Sequence, residues 1–326
     1  MWDFKLLKAT QTIEKTMAFM IYRLAMYFVL SLVLVFGILA GTGSGLILDS
    51  LFSSPGFFVR IGGFAGFAVF GLVLYWFRSS WFFSMKAPHL VLLNDSIENA
   101  FVQQGWAQVR HARSRVSERF TSATELSALD KRIRAVLACL HKQSTGVGQW
   151  LSGLKNTNYS RVLARIAEIP ATRMDEMIIA DCLRNLKHSH SAAAIAALAL
   201  FAPHFGRLFK NAWILLMLKY TVAFGIFLLM LSPVGWIDEI IPVEFGNWTY
   251  VFALLLTWPI KSALLDPIAF AAILGVFLEL TQGQTPDPDL ESQLARDCPD
   301  FASIRNMAEF LDKTASRTTA DDQAEN

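Results

Sequence analysis

The feature that most constrains this chain is an uncharged apolar run near its start. Residues 22–41, Tyr22-Arg23 followed by LAMYFVLSLVLVFGILAG, hold no charge after Arg23. As a helix at ~1.5 Å per residue such a run spans about 30 Å, the hydrocarbon thickness of a bilayer. Backbone groups in that solvent must pair within the segment, so a helix is the form the run takes. It is also too long for the apolar core of a signal peptide and reads as a retained anchor.

Three further runs follow. Residues 57–77 (FFVRIGGFAGFAVFGLVLYWF) are interrupted only by Arg60, near one end, where its side chain can snorkel, and Tyr75, Trp76 and Trp81 form an aromatic belt at the other. A Gly/Ser-rich turn containing Asp49 and Pro55-Gly56 joins these two spans. The third span, 212–232, holds one charge, Lys219, and is closed by Pro233. The fourth starts at Trp248. Its apolar stretch reaches 280 but is broken by Pro259, Lys261 and Asp266-Pro267, and an Asp followed by Pro is a helix-start signature. The spans are therefore 22–41, 57–77, 212–232 and 248–265. The piece 267–281 is short of the ~20 residues a crossing needs and is expected to be interfacial or re-entrant, a fifth span being the alternative. With 54% hydrophobic and 17% charged residues among 326, against about a quarter charged in soluble domains, the composition excludes a single water-exposed globule.

Orientation is read from the basic residues flanking the spans. Lys5, Lys8, Lys15 and Arg23 precede the first, Arg78 and Lys86 follow the second, and Arg207 and Lys210 precede the third, whereas 42–56 and 233–247 hold no Lys or Arg. The positive-inside rule then places both termini and the large middle region in the cytoplasm, in a bacterial inner membrane. The expected organisation is a cytoplasmic segment 1–21, a transmembrane hairpin 22–77, a cytoplasmic helical region 78–211, a second hairpin with its interfacial helix 212–281, and a cytoplasmic tail 282–326, disordered after about 315. The fold class is all-α: a polytopic membrane protein with four transmembrane helices and an amphipathic-helical middle region.

Between the hairpins, Leu126, Leu129, Ile133, Val136, Leu137 and Leu140 follow helical spacing and predict one apolar stripe. Asn94-Asp95 is expected to cap a helix start. Arg110, Arg113, Arg115 and Arg119 line a basic surface, either a solvated face or, beside a membrane, a surface for anionic headgroups. Residues 145–160 are rich in Gly, Ser, Asn and Thr and read as a loop, followed by helices at 160–168 and 172–187. The apolar stretch 192–202 is too short to cross and is expected as a buried or membrane-lying helix, and tail helices are expected at 287–297 and 299–314. Gly37 and Gly41 on the first span, and Gly62 and Gly66 on the second, have the spacing that lets membrane helices approach closely.

Chemistry-bearing patterns are few. Cys139, Cys182 and Cys298 stand far apart, and the expectation is reduced thiols, neither a disulfide framework nor a zinc site. His188 and His190 read as a solvated turn rather than metal ligands. Asp175 and Glu176 are adjacent, hence about 100° apart on a helix, and do not make a cooperating acid/base pair. Gly41-Thr-Gly-Ser-Gly45 lacks the lysine of a phosphate loop. No catalytic residue, cofactor or metal site is assigned, an enzyme is the least expected class, and a net charge of +2 gives no ground for a nucleic-acid partner. The charges that need explaining lie within the spans: Lys219, Lys261 and Asp266, at similar depth because their helices run antiparallel. They are either snorkelling lysines with a helix-capping Asp, or a polar site able to meet an anionic ligand or headgroup.

The order of Tyr22-Arg23, Lys86-Ala87-Pro88-His89, Val116…Arg119-Phe120, Asp175-Glu176 with Ile178-Ile179-Ala180, Lys210-Asn211-Ala212, Lys261-Ser-Ala-Leu-Leu-Asp-Pro267 and Gly283-Gln-Thr-Pro-Asp-Pro288 resembles a family of poorly characterised bacterial inner-membrane proteins. That likeness covers roughly residues 20–310 and implies no known chemistry. The layout of 172–290, with Asn211 and Asp266, is more distantly similar to the C-terminal half of choline transporter-like proteins. Those have about ten spans, so the likeness implies transport only through an oligomer. Two functions are therefore expected. One is a structural, lipid-associated or regulatory membrane component, whose partners are membrane lipids and either further copies or other membrane proteins. The other is a subunit of a small-solute transporter or channel with its polar site in the inner leaflet.

Overall fold

Apolar runs without helix breakers form helices wherever water cannot compete for the backbone, and helices account for nearly all of this fold. A computed structural model describes residues 2–52, 56–98, 100, 103–143, 174–185, 188–240 and 248–324, among which no strand occurs. The helices are α1 (Leu6–Lys15), α2 (Met17–Phe52), α3 (Phe57–Trp76), α4 (Arg78–Trp81), α5 (Ala87–Ile97), α6 (Trp106–Arg119), α7 (Ala123–Gln143), α8 (Asp175–Arg184), α9 (His190–Phe201), α10 (Phe205–Ile240), α11 (Trp248–Ile260), α12 (Asp266–Thr281), α13 (Pro288–Asp297) and α14 (Pro299–Ala324). Two π-helical turns, Phe82–Lys86 and Lys261–Leu265, lead into α5 and α12. Four helical runs are long and apolar enough to cross a membrane: Met17–Phe52, Phe57–Trp76, His190–Trp236 and Trp248–Thr281.

The chain forms two compact units, one of residues 17–81 and 217–270, the other of 1–16, 82–216 and 271–326. In the first, α2 and α3 pack as a hairpin along the glycines. A Cβ on Gly41 would sit 2.0 Å from the carbonyl oxygen of Gly62, and one on Gly66 2.0 Å from that of Gly37, so only hydrogen fits at these places. The Gly/Ser-rich residues expected as a turn are instead helical. They form the last turns of α2, and Gly45 also meets the α3 backbone, at Phe58. Asp49 caps α3 by accepting from the amides of Gly56 and Phe58, both at 2.9 Å. Leu34 and Ile38 of α2 meet Val234 of α10 and Phe252, Ala253 and Leu255 of α11 in this unit's core. Tyr75 and Trp76 are exposed as a belt requires, but Trp81 packs edge-on against Tyr27. Pro233 does not close the third span. The helix continues to Ile240, because a membrane helix tolerates one missing donor when neighbours and local adjustments satisfy the freed carbonyl.

In the second unit the predicted stripe is observed: Leu126, Leu129, Ile133, Val136, Leu137 and Leu140 of α7 are all buried. The α7 helix packs on α14 and α8, and Val116, Phe120, the alanine-rich α9, Phe301 and Ile304 are buried in the same unit. The stretch 192–202 is a buried helix, and its Phe201 meets Phe277 of α12. Within 267–281, Ala271, Ala272, Ile273, Leu274, Val276 and Phe277 are buried in this unit's core. Asn94 and Asp95 end a helix rather than start one, and the Asn94 amide donates to the Ala180 carbonyl at 2.6 Å. Gly283, at φ +72°, ends α12, and Asp287 with Pro288 starts α13 as its sequence predicts. Beyond Ala315 the chain is helical to Ala324, where disorder was expected. The loop expected at 145–160, the helix expected at 160–168 and residues 241–247 between the third and fourth spans lie outside the described residues.

The cysteine reading is corrected. Cys139 and Cys298 form a disulfide closing 159 residues of sequence, and Cys182 alone is a buried thiol. Separation along the chain hid the pair: helix packing brings the end of α7 to the junction of α13 and α14, a proximity that spacing does not encode.

Candidate functional site

The polar centre of the membrane helices is built by a local conflict in the sequence Lys261-Ser-Ala-Leu-Leu-Asp-Pro267. Proline lacks an N–H, so a helix entering Pro267 leaves a carbonyl without its donor. Here the run shifts to π geometry, and the Asp266 amide donates five residues back, to Lys261 O. In that register Ser262 O would need the amide hydrogen that Pro267 does not have. Arg23 of α2 supplies the donor instead, Nη2 to Ser262 O at 3.0 Å, with its guanidinium 5.7 Å from the Tyr27 ring centre.

The same turn arranges the charges. In an α-helix residues five apart point roughly 140° from each other. A turn closed by an i to i+5 bond brings them onto one side, and Lys261 Nζ lies 3.0 Å from Asp266 Oδ2. Lys219, from α10, reaches Oδ1 of the same carboxylate at 2.9 Å. The side chains of Lys219, Lys261 and Asp266 are 11%, 15% and 25% exposed, so neither lysine snorkels away to solvent. Tyr220 presents its ring to both ammonium nitrogens, at 5.2 and 5.4 Å. The three residues singled out in the sequence thus converge on one another. Arg23 and Ser262 were not anticipated: Arg23 at a span's start reads as an ordinary flanking cation, and the readable signal was the Pro267 that disarms the Ser262 carbonyl.

The proposed basic surface divides. Arg110 and Arg113 of α6 are exposed and Arg115 is half-buried. Arg119 turns inward, donating to the carbonyls of His188 at 2.6 Å and Asn185 at 2.9 Å, where it closes the C-terminal end of α8. His188 is exposed and His190 opens α9, 3.5 Å from Glu125, and no group of three or more metal-binding side chains occurs among the described residues.

A second polar network lies in the other unit. Arg134 bonds Asp130 at 2.6 Å and Asp175 at 2.7 Å, while Lys86 pairs with Glu176 at 2.9 Å. Asp175 is 2% exposed and its Oδ1 has no hydrogen-bond donor among the described residues. Burial, with Glu176 and Asp130 close by, raises its carboxyl well above the usual range. The two acids thus sit in different pairs, as their adjacency predicts. Elsewhere Asn211, a residue of the motif Lys210-Asn211-Ala212, clasps Asp3 through backbone and side chain at 2.9 and 2.8 Å; Arg207 and that amide hold the Asp3 carboxyl below its usual range.

Fold and site together define a polytopic all-helical membrane protein with an ion cluster inside its spans. Comparison with protein-family models, with characterised proteins and with solved structures finds no match to this chain.

Proposed function

We propose that this protein is a structural, lipid-associated component of a bacterial inner membrane, with both termini and the middle region in the cytoplasm. The observation that carries this reading is the closure of the site: one carboxylate takes both lysines, at 2.9 and 3.0 Å, and ties α10 to the turn before α12. Charges paired in this way clamp one helix to another, with one positive charge in excess, and do not line an open path. Basic flanks around the spans support the orientation, and the likeness to bacterial inner-membrane proteins supports the compartment.

The test is reconstitution of the full chain into vesicles, together with native mass spectrometry from its membrane. The reading expects retained lipid or a co-purifying membrane protein, and no flux of small solutes. Flux that disappears on Lys261→Met, with folding intact, would replace it with the transporter-subunit reading.

A further inference from the structure

The Lys219, Lys261 and Asp266 cluster carries two positive charges against one negative. Each ammonium has three donors; Lys261 spends one on Asp266 and Lys219 pairs with the same carboxylate, which leaves donors on both. Excess positive charge among apolar helices is costly unless an anion compensates it. The cluster is also within reach from outside: a quarter of the Asp266 side chain is accessible, and Tyr220, beside both ammonium groups, is 46% exposed. An approaching anion meets Asp266 as its competitor, which makes the carboxylate a tuning element as well as a clamp.

We propose that Lys219, Lys261 and Asp266 form a binding site for a phosphate-bearing anion, whose oxygens take the remaining ammonium donors beside Tyr220. The inference rests on the reading of the protein as lipid-associated and deepens it. Two sources share this chemistry, the headgroup of an anionic phospholipid and free phosphate, and the experiment separates them.

Full-length protein, wild type and the variants Lys261→Met, Lys219→Met and Asp266→Asn, is transferred into phosphatidylcholine bilayers with or without phosphatidylglycerol. Retained lipid is read by native mass spectrometry, inorganic phosphate binding by titration, and folding by thermal unfolding. Lys261→Met leaves Lys219 and Asp266 as a neutral pair, so anion binding should fall about tenfold while the fold persists. Asp266→Asn removes the competitor, so binding should rise in whatever fraction folds; if that variant fails to fold, the two lysine variants decide. Retention of phosphatidylglycerol alone assigns the headgroup, and binding of inorganic phosphate assigns the free anion. Equal lipid retention by all folded variants, without phosphate binding, overturns the site and leaves lipid association standing. Phosphate binding lost on Lys261→Met, without any retained lipid, keeps the site and overturns lipid association. Absence of both overturns both.

Discussion

Asp175 is a residue whose chemistry departs well from its ordinary behaviour. Three carboxylates, Asp130, Asp175 and Glu176, face two cations, Arg134 and Lys86. Of the helices packed on α8, α7 brings Asp130 and Arg134, and the π turn before α5 brings Lys86. Arg119 of α6 meets only the far end of α8, and α9 brings no charged contact to Asp175. With its ionisation raised in the fold and ordinary in the unfolded chain, Asp175 favours folding while it is protonated. That contribution is complete below the unfolded value of about 4 and is lost as pH rises through the raised folded value. Thermal unfolding from pH 4 upward should therefore show declining stability, and Asp175→Asn should flatten the decline. An unchanged slope in the variant would place the titration elsewhere. Neither the burial of Asp175 nor the inward turn of Arg119 was legible in sequence, where Arg119 read as part of a basic surface and Asp175 only as the neighbour of Glu176. Lys219, Lys261 and Asp266 were legible because charge inside an apolar run is rare enough to stand out.

At the scale of elements, the glycine seam gives opposite expectations for two glycines two positions apart. A Cβ on Gly41 meets the α3 backbone at 2.0 Å, while one on Gly43 meets nothing within 4 Å. Gly41→Ala should lose about 1–3 kcal/mol through overpacking, and Gly43→Ala should be neutral or gain up to ~1 kcal/mol from helix propensity, both read by unfolding in detergent. The disulfide tethers α7 to the α13–α14 junction across 159 residues, and Cys139→Ser should cost about 2–4 kcal/mol wherever that bond is formed. Helix existence was legible in the apolar runs and the α7 stripe, which announce themselves by length and period, but not in α1 or α5. Boundaries were less so. The α2 helix overran its glycines because in a membrane these serve as contacts and not as turn residues, and α10 overran Pro233 for the reason that lets membrane helices carry proline at all.

For the whole molecule, charge and sulfur pull in different directions. Basic flanks favour a cytoplasmic middle region, whereas a disulfide between Cys139 and Cys298 belongs to an oxidising compartment. If the charges govern, acid-quenched alkylation of intact cells should trap both cysteines as thiols, with the bond forming only after lysis. The central claim is a chain of four crossings, which puts both ends on one side, proposed here to be the inner one. The most direct measurement is labelling of intact cells with a membrane-impermeant thiol reagent. The cysteine-free protein would carry single cysteines at Lys8, at Ser54 between the first two spans, and at Arg317 near the end. The account predicts labelling at position 54 and protection at 8 and 317 until the cells are opened. Labelling of only one terminus in intact cells would contradict four crossings, and labelling of both termini with position 54 protected would invert the orientation.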